Sequence, residues 1–206
     1  DHRDLHSFPT RRSSDLNRPG VGVKNADPEM KVVMAGLAGA NIDYVKGMVD
    51  WCKEFRGYNP DGTVNLCWDV INYHYYANDH HSSQSGRSTR GAAPEVSGAA
   101  EVAKQFLELS HEYAYDMPVW ITETGYDLNQ ASPLKAIAIN NKTPLETQAD
   151  WILRSSLLYT RLGIDAVFFY QLYDNAPLDG GRFNTSGLIN VDRSRRPAAD
   201  FLYHRF

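Results

Sequence analysis

The chain has 206 residues, is 42% hydrophobic and carries a formal net charge of −4. That length allows one domain with a sizeable core, and the mild acidity argues against a phosphate-backbone partner, so no nucleic acid is expected. No apolar run approaches the ~20 residues a membrane helix needs, so no membrane partner is expected either.

First in chain order comes His6-Ser7-Phe8-Pro9-Thr10-Arg11-Arg12-Ser13-Ser14-Asp15-Leu16. It resembles the in-frame translation of a common sequencing-library adapter, which implies a reading frame assembled from shotgun reads and truncated upstream. Residues 1–16 are therefore set apart as non-native, and 17–206 are read as the domain. The set-apart stretch holds Arg3, Arg11 and Arg12 against Asp1, Asp4 and Asp15, so the net charge of −4 belongs to the remainder.

Strands and helices then alternate. Lys31 to Gly36 reads as a buried strand after the turn signal Ala26-Asp27-Pro28. Asn41 can cap a helix from Ile42, with Val45, Met48, Val49 and Cys52 at helical spacing. Asn59-Pro60-Asp61-Gly62 is a turn, and Val70 to Tyr76 a second strand. Ala77 to Ala93, rich in Ser, Gly, Asn and His, reads as a long mobile loop. Val102, Phe106, Leu109 and Tyr113 mark an amphipathic helix, and Pro118 to Thr124 a third strand ended by Gly125. Thr143-Pro144-Leu145-Glu146 is a capping box opening a helix that runs to Gly163. Ala166 to Gln171 is a fourth strand, and Pro197 to Tyr203 a closing helix.

Four strand–helix units in a row predict a parallel sheet with outer helices and right-handed crossovers. A complete (β/α)8 barrel typically needs ~250 residues, so this α/β chain is expected to supply about half of one. Three long loops follow strands, at 77–93, 126–142 and 174–195, which suggests a binding or catalytic face at the strand C-termini.

Two clusters fall on that face. Strand alternation puts Glu123 on the same side as Val119 and Ile121, at the tip of the third strand. On the second strand, Asn72, His74 and Tyr76 share one side, and Ile71, Tyr73 and Tyr75 the other. A polar side within a parallel strand is costly unless its groups are hydrogen-bonded or line a site. Cys52 and Cys67 lack metal-ligand spacing and are read as two thiols rather than a disulfide. A metal site from His74, Asp79, His80 and His81 is disfavoured, because adjacent histidines in a Ser/Gly-rich loop make a poor preformed geometry. No metal and no cofactor are expected. Trp51, Trp120 and Trp151 are read as core.

Asp69-(x)4-His74-x-Tyr76, then Ile121-Thr122-Glu123, then a Tyr-rich strand ending near Asp174 resemble barrel strands six, seven and eight of clan A glycoside hydrolases. The family 39 type is nearest in character and family 5 a near neighbour. Gly187-Leu188 and Arg196-Pro197-Ala198 are similar to their last loop and helix, and Lys31 to Gly36 would be strand five. The resemblance implies a carbohydrate substrate, with Glu123 as the catalytic nucleophile of a retaining mechanism. It implies that His74 and Tyr76 contact that nucleophile and the sugar, that Tyr170 stacks on the sugar ring, and that Gln171 and Asp174 bond sugar hydroxyls. It further implies an acid/base Glu after an Asn on strand four; residues 17–206 contain no Asn-Glu pair, so the chain alone is expected to be inactive. A non-catalytic carbohydrate-binding barrel is the alternative. A secreted or periplasmic setting is favoured over a cytoplasmic one.

Overall fold

The computed structural model describes residues 19–83, 86–175 and 181–205. The adapter-like stretch lies outside the described residues. The elements run α1 (Pro19–Ala26), α2 (Ile42–Arg56), β1 (Ile71–His74), a 3-10 turn (Pro94–Val96), α3 (Ala99–Tyr113), β2 (Val119–Thr124), α4 (Pro144–Leu162), β3 (Ala166–Phe169) and α5 (Pro197–Arg205). Helix α1 was not legible in the sequence, where two glycines in PGVGVKNA argue against it.

β1, β2 and β3 form a parallel sheet in chain order, with Ile71 opposite Val119 and Ile121 opposite Val167. The segment read as a first strand, Lys31 to Gly36, is not a regular one. It touches β1 only through isolated parallel bridges, Val33 with Val70 and Leu37 with Tyr73. Met34 is its single buried hydrophobic side chain. Between the two bridges the register slips by one residue, and there the missing side chain of Gly36 leaves room that the His74 ring fills.

The helices pack on one face of the sheet. The side chains of Ile71, Tyr73, Val119 and Ile121 enter a core with Phe106, Leu109, Trp151, Ile152 and Tyr159. Tyr73 stacks on Phe106 with centroids 4.1 Å apart. Apolar residues on α3 and α4 recur at helical spacing and supply this face, and burying each contributes roughly 1.5–3 kcal/mol. The helix ends follow their local chemistry. Asn41 Oδ1 accepts from the Asp43 and Tyr44 amides. Thr143 and Glu146 form the reciprocal capping box, and Gly163 ends α4 at φ 98°.

Trp151 belongs to this core, whereas Trp120 does not. Trp120 lies on the opposite face of the sheet, tilted against the half-exposed Phe168 at 5.8 Å. Trp51 is half-buried and stacks on exposed Phe55. The 77–93 loop is pinned at its base. Asn78 bridges Gly91, and Asp79 accepts from the Thr89 amide at 2.9 Å.

Candidate active site

The face of β1 turned away from the helices carries Asn72 and His74. Asn72 Nδ2 donates to the Met34 carbonyl at 3.1 Å, which leaves Oδ1 to accept from Thr122 Oγ1 at 2.8 Å. The single Thr122 hydroxyl proton is thereby spent, so its oxygen accepts from His74 Nε2 at 3.1 Å. This fixes one proton on Nε2 and turns Nδ1 toward Glu123 Oε2, 3.4 Å away. The Tyr76 hydroxyl donates to the same Oε2 at 3.1 Å. Both neighbours fall on Oε2, and Oε1 is left to the cavity. The Glu123 side chain is 34% exposed against 15% for His74, so the carboxylate is the accessible member of the pair.

Strict alternation does not describe how Glu123 arrives there. Ile121 and Val119 face the helices, yet Glu123 faces the site. The β1–β2 register shifts between Tyr73 and His74: Tyr73 pairs with Ile121, but His74 pairs with Glu123. Thr122 is the extra residue of a bulge, so Thr122 and Glu123 both turn to the site face. Thr124 then returns to the core, hydrogen-bonded to Tyr159.

Burial, and next the Glu123 charge, push the Tyr76 phenol far above its usual range. Tyr76 therefore stays a donor wherever Glu123 is ionised.

Tyr170 follows β3 and meets Phe183 edge-on at 6.0 Å, while Phe183 lies 4.8 Å from Tyr76. The three rings form a continuous aromatic wall beside Glu123. Phe183 is held at φ 68° by its amide donating to Asp127 Oδ2 at 3.0 Å and its carbonyl accepting from Gln171 Nε2 at 2.8 Å. Asp127 is buried and also accepts from Ser132 Oγ and from the Thr185 amide.

Gln171 and Asp174 are engaged with the last loop and make no contact with Glu123, His74 or Tyr76 among the interactions described. The Gln171 amide group is committed to Phe183, and its backbone to Ser186 and Leu188. The Asp174 carboxylate is paired with Arg196, both side chains 3% exposed, and accepts from the Gly187 amide at 2.8 Å. Both residues brace the last loop. Asn72 holds Thr122 and through it His74.

Sequence reasoning missed Thr122, Asp127 and Phe183. Thr122 sits inside the quoted motif but on its wrong side by alternation. Phe183 is an aromatic residue in a glycine-rich polar loop, and that was its one local signal. Among the described residues, no group of three or more His, Cys, Asp or Glu could hold a metal ion.

The parallel three-stranded sheet with its helices is similar in fold to part of larger TIM-barrel proteins. A family 39 glycoside hydrolase from the gut symbiont Bacteroides cellulosilyticus WH2 is similar at TM-score 0.58 and 20% identity, over 85% of this chain and 33% of that one. Bacteroides uniformis beta-glucuronidase 2, covalently bound to cyclophellitol-6-carboxylate aziridine, is similar at TM-score 0.53 and 14% identity, over 87% of this chain and 18% of that one. At these identities the likeness is one of fold. The chain spans a third or less of the length of these structures. No protein-family model matches the sequence, and no curated protein does.

Proposed function

We propose that residues 17–206 are the strand-five-to-eight part of a retaining glycoside hydrolase barrel acting on O-glycosidic bonds of a poly- or oligosaccharide. Glu123 is its nucleophile. The observation that carries this reading is the meeting of Glu123 Oε2 with the Tyr76 hydroxyl and His74 Nδ1 at adjacent strand ends.

The chemistry follows from that geometry. The Tyr76 hydroxyl on Oε2 holds the carboxylate in one orientation and leaves Oε1 to attack the anomeric carbon. Attack forms a glycosyl-enzyme ester as the glycosidic bond breaks, and water then hydrolyses the ester. Tyr76, kept as a phenol, shares its proton with the carboxylate without giving it up. The partly exposed rings of Tyr170 and Phe183, backed by buried Tyr76, offer faces on which a sugar ring can stack. Support for a covalent step also comes from the similar Bacteroides uniformis enzyme, which carries a covalently bound aziridine.

A retaining mechanism needs a second carboxyl group roughly 5 Å from the first. Asp127 and Asp174, the buried carboxylates of the neighbouring loops, are already engaged by their own donors. Neither of these two described carboxylates is placed to serve as the acid/base, and on this reading the chain alone is inactive.

The test is made on a chain completed upstream to a full barrel. Glu123→Gly abolishes hydrolysis of aryl glycosides, and added azide restores turnover with a glycosyl azide of inverted anomeric configuration as product. Hydrolysis by the variant near the wild-type rate would remove Glu123 from the mechanism. Sugar binding without hydrolysis by the completed parent would favour a non-catalytic barrel.

A further inference from the structure

The structure brings together two cysteines that are distant from the candidate site and play no part in it. Cys52 is buried in the last turns of α2, and Cys67 is half-buried in the segment entering β1. The chain between them doubles back on itself. Tyr58 and Val64 form an antiparallel bridge, and the Asn65 amide donates to the Gly57 carbonyl at 3.0 Å. Arg56 clamps the return, its Nε on the Asn65 carbonyl at 2.7 Å and its Nη2 on Asn65 Oδ1 at 2.8 Å. This hairpin lays Cys67 against the helix end. The Cys67 side chain and its backbone amide both hydrogen-bond the Cys52 sulfur.

We propose that Cys52 and Cys67 are a built-in dithiol that closes to a disulfide when the protein meets a low-molecular-weight disulfide oxidant. The inference does not depend on the glycosidase reading.

The order of events follows from the surroundings. Hydrogen bonding to Cys67, and then burial, push the Cys52 thiol far above its ordinary range, so Cys52 is a poor first nucleophile. Cys67 is the more accessible of the two and attacks first. Its thiolate displaces one glutathione from oxidised glutathione, giving a mixed disulfide and one glutathione thiol. Capping Cys67 removes the thiol that held Cys52 protonated. Burial still opposes ionisation, while Arg56 and the Cys67 amide favour the Cys52 thiolate. That thiolate attacks Cys67 Sγ and expels the second glutathione. Two protein thiols are oxidised and one glutathione disulfide is reduced to two thiols, so atoms and electrons balance. The bridge would form in an oxidising compartment and stay open in a reducing one.

The test uses the whole chain, native and without denaturant, incubated with oxidised glutathione and read by intact mass and non-reducing peptide mapping. The expected wild-type product has lost two hydrogens, carries no glutathione and yields a Cys52–Cys67 linked peptide. Cys52→Ser is expected to stop at a stable glutathione adduct on Cys67. The closed loop is short, so the oxidised form should melt about 6–12 °C above the reduced form. A persistent glutathione adduct on the wild type would overturn the proposal. So would two thiols that stay titratable after oxidation, a link that forms only in denaturant, or an oxidised form that melts below the reduced one.

Discussion

Gly36→Ala tests whether the His74 ring is locked where the site needs it. A Cβ built on Gly36 would lie 1.9 Å from His74 Nε2, 2.5 Å from Cδ2 and 2.7 Å from Cε1. Gly36 is not among the positive-φ glycines, so its backbone tolerates alanine and the cost is purely steric. The ring cannot swing aside without surrendering Thr122 on Nε2 and Glu123 on Nδ1. Overpacking costs about 1–3 kcal/mol and the lost hydrogen bond about 0.5–1.5 kcal/mol. Reduced freedom of the unfolded chain returns about 0.4–1 kcal/mol, so the net loss is roughly 2 kcal/mol. In a His74→Ala background the collision is gone, and the same Gly36→Ala change should stabilise by about 0.4–1 kcal/mol. The sign reversal amounts to a coupling near 3 kcal/mol, large for a pair of neighbours. Urea unfolding followed by tryptophan fluorescence, with unchanged m-values, measures all four corners of the cycle. Equal effects of Gly36→Ala in the two backgrounds would show that His74 is not held against Gly36.

Two further outcomes follow from other parts of the fold. Arg196→Met leaves the Asp174 carboxylate buried without its partner and should cost about 3–5 kcal/mol in thermal or urea unfolding, while Asp174→Leu combined with Arg196→Met should cost less than Arg196→Met alone; a double variant weaker than the single would contradict this. Burial alone would raise the Asp79 carboxyl, but hydrogen bonds from Thr89 and Arg90 outweigh it and hold Asp79 below its ordinary value of 3.8. Its contribution is thus present above that value and lost as pH falls through the lowered one, so pepsin should begin to cut the 80–88 segment only in that acid window, and Asp79→Asn should expose the same segment to proteinase K at neutral pH.

Elements governed by local chemistry were legible in the sequence. The Asn41 cap, the Thr143–Glu146 box and the Gly163 terminus each depend on residues a few positions apart, and all three are present as read. The meeting of Tyr76 with Glu123 was also legible, because parallel neighbours bring strand tips together. What escaped is set by partners far along the chain. The bulge at Thr122 exists because Thr122 is bonded to Asn72 and His74 some fifty residues earlier, and alternation within a single strand carries no trace of that. The first extended segment meets β1 in two registers, Val33 with Val70 and Leu37 with Tyr73, and its own residues carry no trace of that slip. Asp174 is paired with Arg196, twenty-two residues on. Nothing between positions 174 and 196 announces that pairing.

The extra residue at Thr122 makes the aim of the carboxylate a matter of counting. Were the bulge closed so that Thr122 were no longer an extra residue, strict alternation would turn Glu123 toward Tyr159 and the helices, the way Val119 and Ile121 point. Adding one upstream could deliver a different side chain to the cavity without changing any residue already there. In a barrel, single-residue insertions and deletions at strand ends are therefore a route to new chemistry separate from substitution, and the sheet itself need not be redesigned.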